Sequence, residues 1–311
     1  MLLSLFALSV ASRAAFALDL TEQLSDRLRA AYVARAAAAY AALALEHDET
    51  TADGFRESWS DNAGLFFEHP VGDGSFSIQT ETPAGGAEVR YGMVDEDRGV
   101  NLNTAPRDVL RRLAQIAAGL NDEDADRLAA AIEDWRDDDD TTVRDGAEGN
   151  YYRGLEDGYD CKNGPFETVE ELALVRGVTP EVYARLIPHV TAYGSGRLNV
   201  NTAGRPALLA LGISTQGADG IVYYRAGEDN VEGTGDDRQA VSVESLSTEL
   251  SSYVPVEDLG RLAALAAEGF LGVKSDAFRA EIRASAGSSR NSVRVACILS
   301  RDGAIRRWHE R

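Results

Sequence analysis

Between Glu133 and Asp160 the chain carries eleven acidic residues against three arginines. Carboxylates crowded this closely repel one another, so the segment keeps a fixed shape only if it is fully solvated or joined by a cation. A hard cation such as calcium takes about six to eight oxygens in loose geometry, and Asp, Glu, Asn and backbone carbonyls supply them. A second stretch, Gly227 to Asp237 (GEDNVEGTGDD), again alternates oxygen side chains with glycines. It reads equally as a cation loop or as a solvated turn. Neither stretch has the spacing of an EF-hand, so the cation rests on composition and not on a motif.

Other chemistries find little material. Four histidines are scattered along the chain, and Cys161 and Cys297 are its two cysteines. That is too few ligands for a zinc site. The cysteines either pair in an oxidising compartment or stand as separate thiols. The acids have no nucleophile or base beside them, so acid–base roles cannot be assigned and the chain reads as non-enzymatic. A formal charge of −20 over 311 residues opposes a nucleic-acid partner, whose affinity rests on Lys and Arg neutralising phosphates. The same acidity also serves solubility.

The elements that position the acids are organised by a repeat. Val100-Asn-Leu-Asn-Thr-Ala-Pro106 returns as Leu198-Asn-Val-Asn-Thr-Ala203, with Pro206 following. Each copy reads as a strand end that turns at Asn-Thr-Ala into a helix, with Thr104 or Thr202 as N-cap and the proline near the helix start. After the first copy, Val109, Leu110 and Leu113 form one helix face, and Leu128, Ile132 and Trp135 another. Thr179-Pro180 opens the second helix of a pair within Phe166 to Tyr193, and Ser245 to Gly269 is helical. Ahead of the repeat, Gly74 to Thr80 and Ala87 to Val94 read as hairpin partners turning at Pro83 to Gly86. Trp59, Leu65, Phe66 and Phe67 read as packing residues. After it, Ala277 to Ala284, Asn291 to Ser300 and Ala304 to Trp308 read as three more antiparallel strands, the first two joined by a turn at Gly287-Ser-Ser.

Met1 to Leu18 is apolar but short, and Arg13 interrupts it. It fits either a secretory signal cut near Ala15-Phe16-Ala17 or the back half of a membrane helix. The second reading is favoured, because helical spacing runs on without Gly or Pro to Glu46. The expected fold is therefore α+β: residues 1–46 a long N-terminal helix, 47–99 and 270–311 an antiparallel sheet, and 100–269 an inserted helical domain.

The sequence resembles the K component of the type II secretion system, its large minor pseudopilin. The resemblance is carried by Arg29-Ala-Ala-Tyr-Val-Ala-Arg-Ala36, Val100 to Pro106, Asp134-Trp135 with Asp137, Asp139 and Asp140, and Gly146-Ala147-Glu148. Tyr151 to Leu155, Asn163-Gly164-Pro165, Glu170-Glu171-Leu172, Gly177 to Glu181, Leu186-Ile187-Pro188 and Leu198 to Ala203 complete it. It implies a pilin-like helix and sheet interrupted by a helical domain of SAM-like or helix-hairpin-helix-like form. It implies a non-enzymatic subunit at the tip of the pseudopilus, partnered by the I and J components through its N-terminal helix. That subunit helps initiate pseudopilus assembly and protein export across the outer membrane. It would cross the inner membrane once, with its bulk in the periplasm. It further implies structural calcium on Asp134, Asp137, Asp139 and Glu148, with Asp229, Asp236 and Asp237 as a weaker set. The family's basic leader, the Gly before its peptidase cut and a longer apolar run are not found ahead of Met1-Leu2-Leu3, which suggests a start placed too late. The competing reading is a periplasmic helix-hairpin-helix protein that binds or takes up DNA. Against it, Gly177-Val178 runs into Thr179-Pro180, which removes an amide from the phosphate-binding turn, and the flanks are acidic.

Overall fold

The computed structural model describes residues 2–81, 89–287 and 292–311. The expected turn at Pro83 to Gly86, with Ala87 and Glu88, lies outside the described residues, as do Ser288, Ser289 and Asn291. The chain forms two compact units.

The first comprises Met1–Asp48, Ser58–Val94 and Phe278–Arg311. Its helix runs unbroken over Leu2–Glu46, as an alanine-rich segment without Gly or Pro should. Ala30, Ala34, Ala37, Ala41 and Leu45 fall at three- and four-residue steps, and all are buried. Small residues there let the helix lie close against a six-stranded sheet, ordered His69–Val71, Gly74–Ile78, Ala277–Ala286, Ser292–Ser300, Ile305–Glu310, with Val94–Asp95 pairing on Ala277–Ala286. Registers are antiparallel, with His69 opposite Phe76, Ile78 opposite Ile282 and Cys297 opposite Trp308. Trp59 and Phe66 are buried, as expected, and Trp59 meets Phe278 edge-on at 4.9 Å. Phe67 is exposed.

The expected hairpin is corrected. Gly74–Ile78 pairs with His69–Val71 and Ala277–Ala286, while Val89–Arg90 reaches only Thr80–Glu81. The cause lies in residues 91–93, whose backbone is taken by 59–62. Asn62 N donates to Tyr91 O at 2.7 Å and Met93 N to Trp59 O at 2.8 Å.

The second unit, Glu49–Glu57 with Asp95–Ala277, is the helical one. It holds the repeat as two copies of one scaffold. Val100–Asn101 pairs in parallel with Val190–Thr191, and Leu198–Asn199 with Leu271–Gly272. In each copy the first Asn accepts from the amide of the second, at 2.8 Å for Asn101–Asn103 and 3.0 Å for Asn199–Asn201. The second Asn then clamps a distant backbone by both ends of its amide. Asn103 takes Phe166 N and O, and Asn201 takes Ala240 N and O. An arginine closing the second helix of each copy completes the turn. Arg136 donates to Leu102 O and Ala105 O, and Arg225 to Val200 O and Ala203 O.

Thr104 and Thr202 are not N-caps. The helices Arg107–Ala118 and Arg205–Ala210 begin further on, with Pro106 and Gly204 at the N-cap positions and no side-chain cap. Thr202 instead donates to Asp95 Oδ2 at 2.5 Å. Thr179 does cap, accepting from Val182 N at 3.3 Å with Pro180 in the first turn. The expected helix after Ser245 is two, Leu246–Glu249 and Val256–Ala267, broken at Pro255. Cys161 and Cys297 are buried free thiols.

Asp95 is bound to the second stalk. Its Oδ2 also accepts from Asn199 Nδ2 at 3.0 Å and Ser275 Oγ at 2.7 Å, and its Oδ1 from Asp97 N at 2.8 Å. Asp97 accepts from Asp276 N at 2.6 Å, while its Oδ1 is buried without a partner. These bonds tie Asp95 to Gly99 to the helical unit just where Val94–Asp95 leaves the sheet. Burial raises the Asp95 carboxyl above its ordinary range, and burial with the neighbouring Asp95 charge lifts Asp97 to about 8. A carboxyl whose folded pKa is raised holds a proton that the unfolded chain has released, so stability falls as pH rises. Between the ordinary carboxylate range and about 8, the loss for Asp97 is up to about 1.4 kcal/mol per pH unit. Thermal unfolding against pH should show that slope reduced in Asp97→Asn.

Candidate metal centre

The helix Asp122–Arg136 sets the site. Asn121 caps it by accepting from Asp124 N at 3.0 Å, and Asp122, Glu123 and Asp124 suit its positive end. Its other end carries acid where the dipole is negative. Asp134 lies in the last turn and Asp137 at the C-cap, an arrangement that raises the free energy of both carboxylates. Glu148 arrives from the far side of the loop, at the N-cap position of Gly149–Arg153, but its side chain makes no capping bond. One oxygen from each of Asp134, Asp137 and Glu148 lies within 4.8 Å of the other two.

The group is buried and under-satisfied. Asp134 is 0% exposed and Glu148 3%. Asp134 Oδ1 accepts from Val143 N at 3.0 Å, but its Oδ2, Asp137 Oδ1 and both oxygens of Glu148 are buried without hydrogen-bond partners. Burial pushes all three carboxyls above the ordinary range, and at Glu148 the charges of Asp134 and Asp137 push further. Orphaned, mutually repelling oxygens in one buried place have the chemistry a hard cation's donors need.

The surroundings hold the loop in place. Arg176 Nη1 donates to Gly146 O at 2.8 Å and its guanidinium lies 4.8 Å from the Tyr151 ring; Arg107 Nη2 donates to Arg144 O at 3.0 Å. Tyr152, fully buried, meets Trp135 edge-on at 5.1 Å and accepts from Arg176 N at 3.2 Å. Asn163 donates to Asp139 O at 2.9 Å, and the Cys161 thiol to Asp134 O at 3.8 Å. Arg136, Asn163 and Gly146 were not legible as site residues. Arg136 could have been found by aligning the repeats, since Arg225 closes the corresponding helix.

The other sequence-derived candidates lie elsewhere. Asp139 is exposed and accepts from Thr141 N at 2.6 Å, apart from the buried three. In the second loop Asp236 accepts from Glu228 N at 2.5 Å, Asp229 N at 3.1 Å and Thr234 Oγ1 at 2.6 Å. The Thr234 hydroxyl and these amides hold it down at about 2. Asp229 accepts from Val231 N at 2.8 Å and Asp237 from Gly233 N at 2.5 Å. Each of these acids binds backbone amides of its own loop, and the three are not gathered into one group of close oxygens among the described residues.

A long helix on an antiparallel sheet, with a duplicated helical unit inserted, defines a pilin-like fold that carries a large extra domain. Residues 92–195 match the family described as Type II secretion system (T2SS), protein K. The first part of the helical unit therefore matches the protein K model, and the resemblance read from the sequence is borne out. The type II secretion system protein K of Klebsiella pneumoniae is 42% identical over 88 residues, 27% of this chain and 27% of that protein. That of Aeromonas hydrophila is 43% identical over 83 residues, 26% of this chain and 25% of its own. The aligned stretches thus span about a quarter of these relatives. A chain in the crystal structure of the GspK-GspI-GspJ complex from enterotoxigenic Escherichia coli superposes with a TM-score of 0.66 at 17% identity. That match covers 96% of this chain and 99% of the other, and the fold is GspK-like throughout.

A Cβ at Gly146 would overlap the Asp134 carboxylate, whereas at Gly235 it meets nothing within 4 Å. Gly146→Ala should therefore destabilise the chain by about 1–3 kcal/mol. Gly235→Ala should stay within about 0.5 kcal/mol. Denaturant unfolding of the two variants measures the difference.

Proposed function

We propose that the chain is a non-enzymatic minor pseudopilin of the type II secretion system, acting at the pseudopilus tip with the I and J components to start assembly and support export. The observation that carries this is the GspK-like fold over 96% of the chain, together with the protein K match at residues 92–195. A helix long and apolar enough to cross a membrane, Phe6–Glu46, supports a single inner-membrane anchor with the bulk in the periplasm. Phe6, Leu8, Val10, Phe16 and Leu18 are exposed along it, as side chains facing lipid or partner helices would be. The DNA-binding reading gains no support from these comparisons.

Asp134, Asp137 and Glu148 would hold calcium, whose role is to neutralise their charge. What this chain supplies is a loop already shaped to converge them: Asp134 fixed by Val143 N, Gly146 leaving room, and Arg136 tying the helix end to the Asn-Thr-Ala turn. Locking this loop would hold the helical unit in one shape for partners at the tip.

Co-expression of the full chain with the I and J components of the same genome, followed by affinity capture in detergent, tests the assignment. The three should purify in equal amounts, and Leu24→Arg with Leu28→Arg on the exposed helix face should break the complex. A chain that purifies alone would overturn it.

A further inference from the structure

We propose that the sheet face of the first unit turned away from its long helix is a docking site for an extended acidic polypeptide segment. Along Ala277–Ala286 the side chains alternate. Phe278, Ala280, Ile282 and Ala284 are buried in the core under the helix, which sends Arg279, Glu281 and Arg283 to the opposite face. There a groove of about 680 Å³ is lined by Gln79, Arg279, Glu281, Arg283, Arg294 and Arg311 among others. Arg283, Arg294 and Arg311 are exposed. Among the described residues of the groove, four guanidiniums thus lie beside one carboxylate, in a chain whose formal charge is −20.

The sequence divides its charge accordingly. The first unit has thirteen basic and thirteen acidic residues, and within it Phe278–Arg311 has eight arginines against three acids. The chain's whole net negative charge belongs to the other unit. At physiological salt, charges more than about 8 Å away are largely screened, so a ligand in the groove meets mainly the local arginines.

Carboxylates on a polypeptide fit this face better than a compact phosphate. Arg311 pairs with Glu281 at 3.2 Å, so the groove already lodges a single carboxylate among its guanidiniums. A small dianion at its centre would lie against that carboxylate. Arg279 and Arg283 flank Glu281 at alternate same-face positions, which repeat about every 7 Å along a strand. Acids four residues apart on an extended chain have the same span and reach both arginines, whose planar forks bind carboxylates at two points. The volume is also that of a short peptide and not of one ion.

The test is fluorescence anisotropy of labelled hexaglutamate with the full chain in detergent at about 0.15 M ionic strength. Saturable binding is expected, weakened about tenfold in Arg283→Glu/Arg294→Glu. Both positions are exposed, so the variant should keep the parental unfolding midpoint. Arg144→Glu, an exposed arginine of the other unit, should bind the peptide as the parent does. Absence of saturable binding, or equal affinity in the double variant, overturns the proposal. So does displacement of the peptide by inorganic phosphate or phosphatidylglycerol vesicles at equal charge concentration.

Discussion

Three carboxylates share a buried space at the negative end of one helix, and the helical unit is built around that constraint. Burial and mutual repulsion raise the free energy of Asp134, Asp137 and Glu148 in their charged forms. For Asp134 and Asp137 the negative end of their helix adds to the penalty. The structure nevertheless holds them converged, by packing Tyr152 and Trp135 beneath the loop and fastening its backbone with Arg107 and Arg176. A cation at this point would offset the repulsion and couple the loop, through Arg136, to the Asn-Thr-Ala turn.

The second copy of the scaffold shows what the loop can do instead. Arg225 and Asn201 repeat the bonds of Arg136 and Asn103. The loop that follows resolves its charge differently: its acids accept from the loop's own amides and from Thr234, and Arg225 pairs with Glu232 at 2.5 Å. Two loops of nearly the same composition thus reach opposite states. One keeps carboxylate oxygens open in a buried place, and the other turns its acids onto the amides and hydroxyl of its own loop.

That contrast explains what the sequence could and could not convey. The helix Leu2–Glu46, the alternating strands after Ala277 and the duplicated stalks were legible because each is a local periodic pattern. Asp134, Asp137 and Glu148 were legible through acid density and the family resemblance. Whether an acid faces inward is not local: Asp139 is two residues from Asp137 yet binds Thr141 N in the open. The Asp95 network was hidden for the same reason, since its partners Asn199, Thr202 and Ser275 lie more than a hundred residues away. Thr104 and Thr202 misled because the helices begin beyond their reach. The hairpin misled because 91–93 found other backbone partners.

The central claim is that the Asp134–Asp137–Glu148 group binds calcium and thereby stabilises the helical unit. Calcium titration of the metal-free full chain in detergent, with bound ion counted and the unfolding midpoint followed, tests it most directly. The account predicts saturable binding and a rise of about 5–10 °C at a hundredfold excess over Kd, both lost in Glu148→Gln and Asp134→Asn. An unchanged midpoint, or a rise that survives both substitutions, would contradict it.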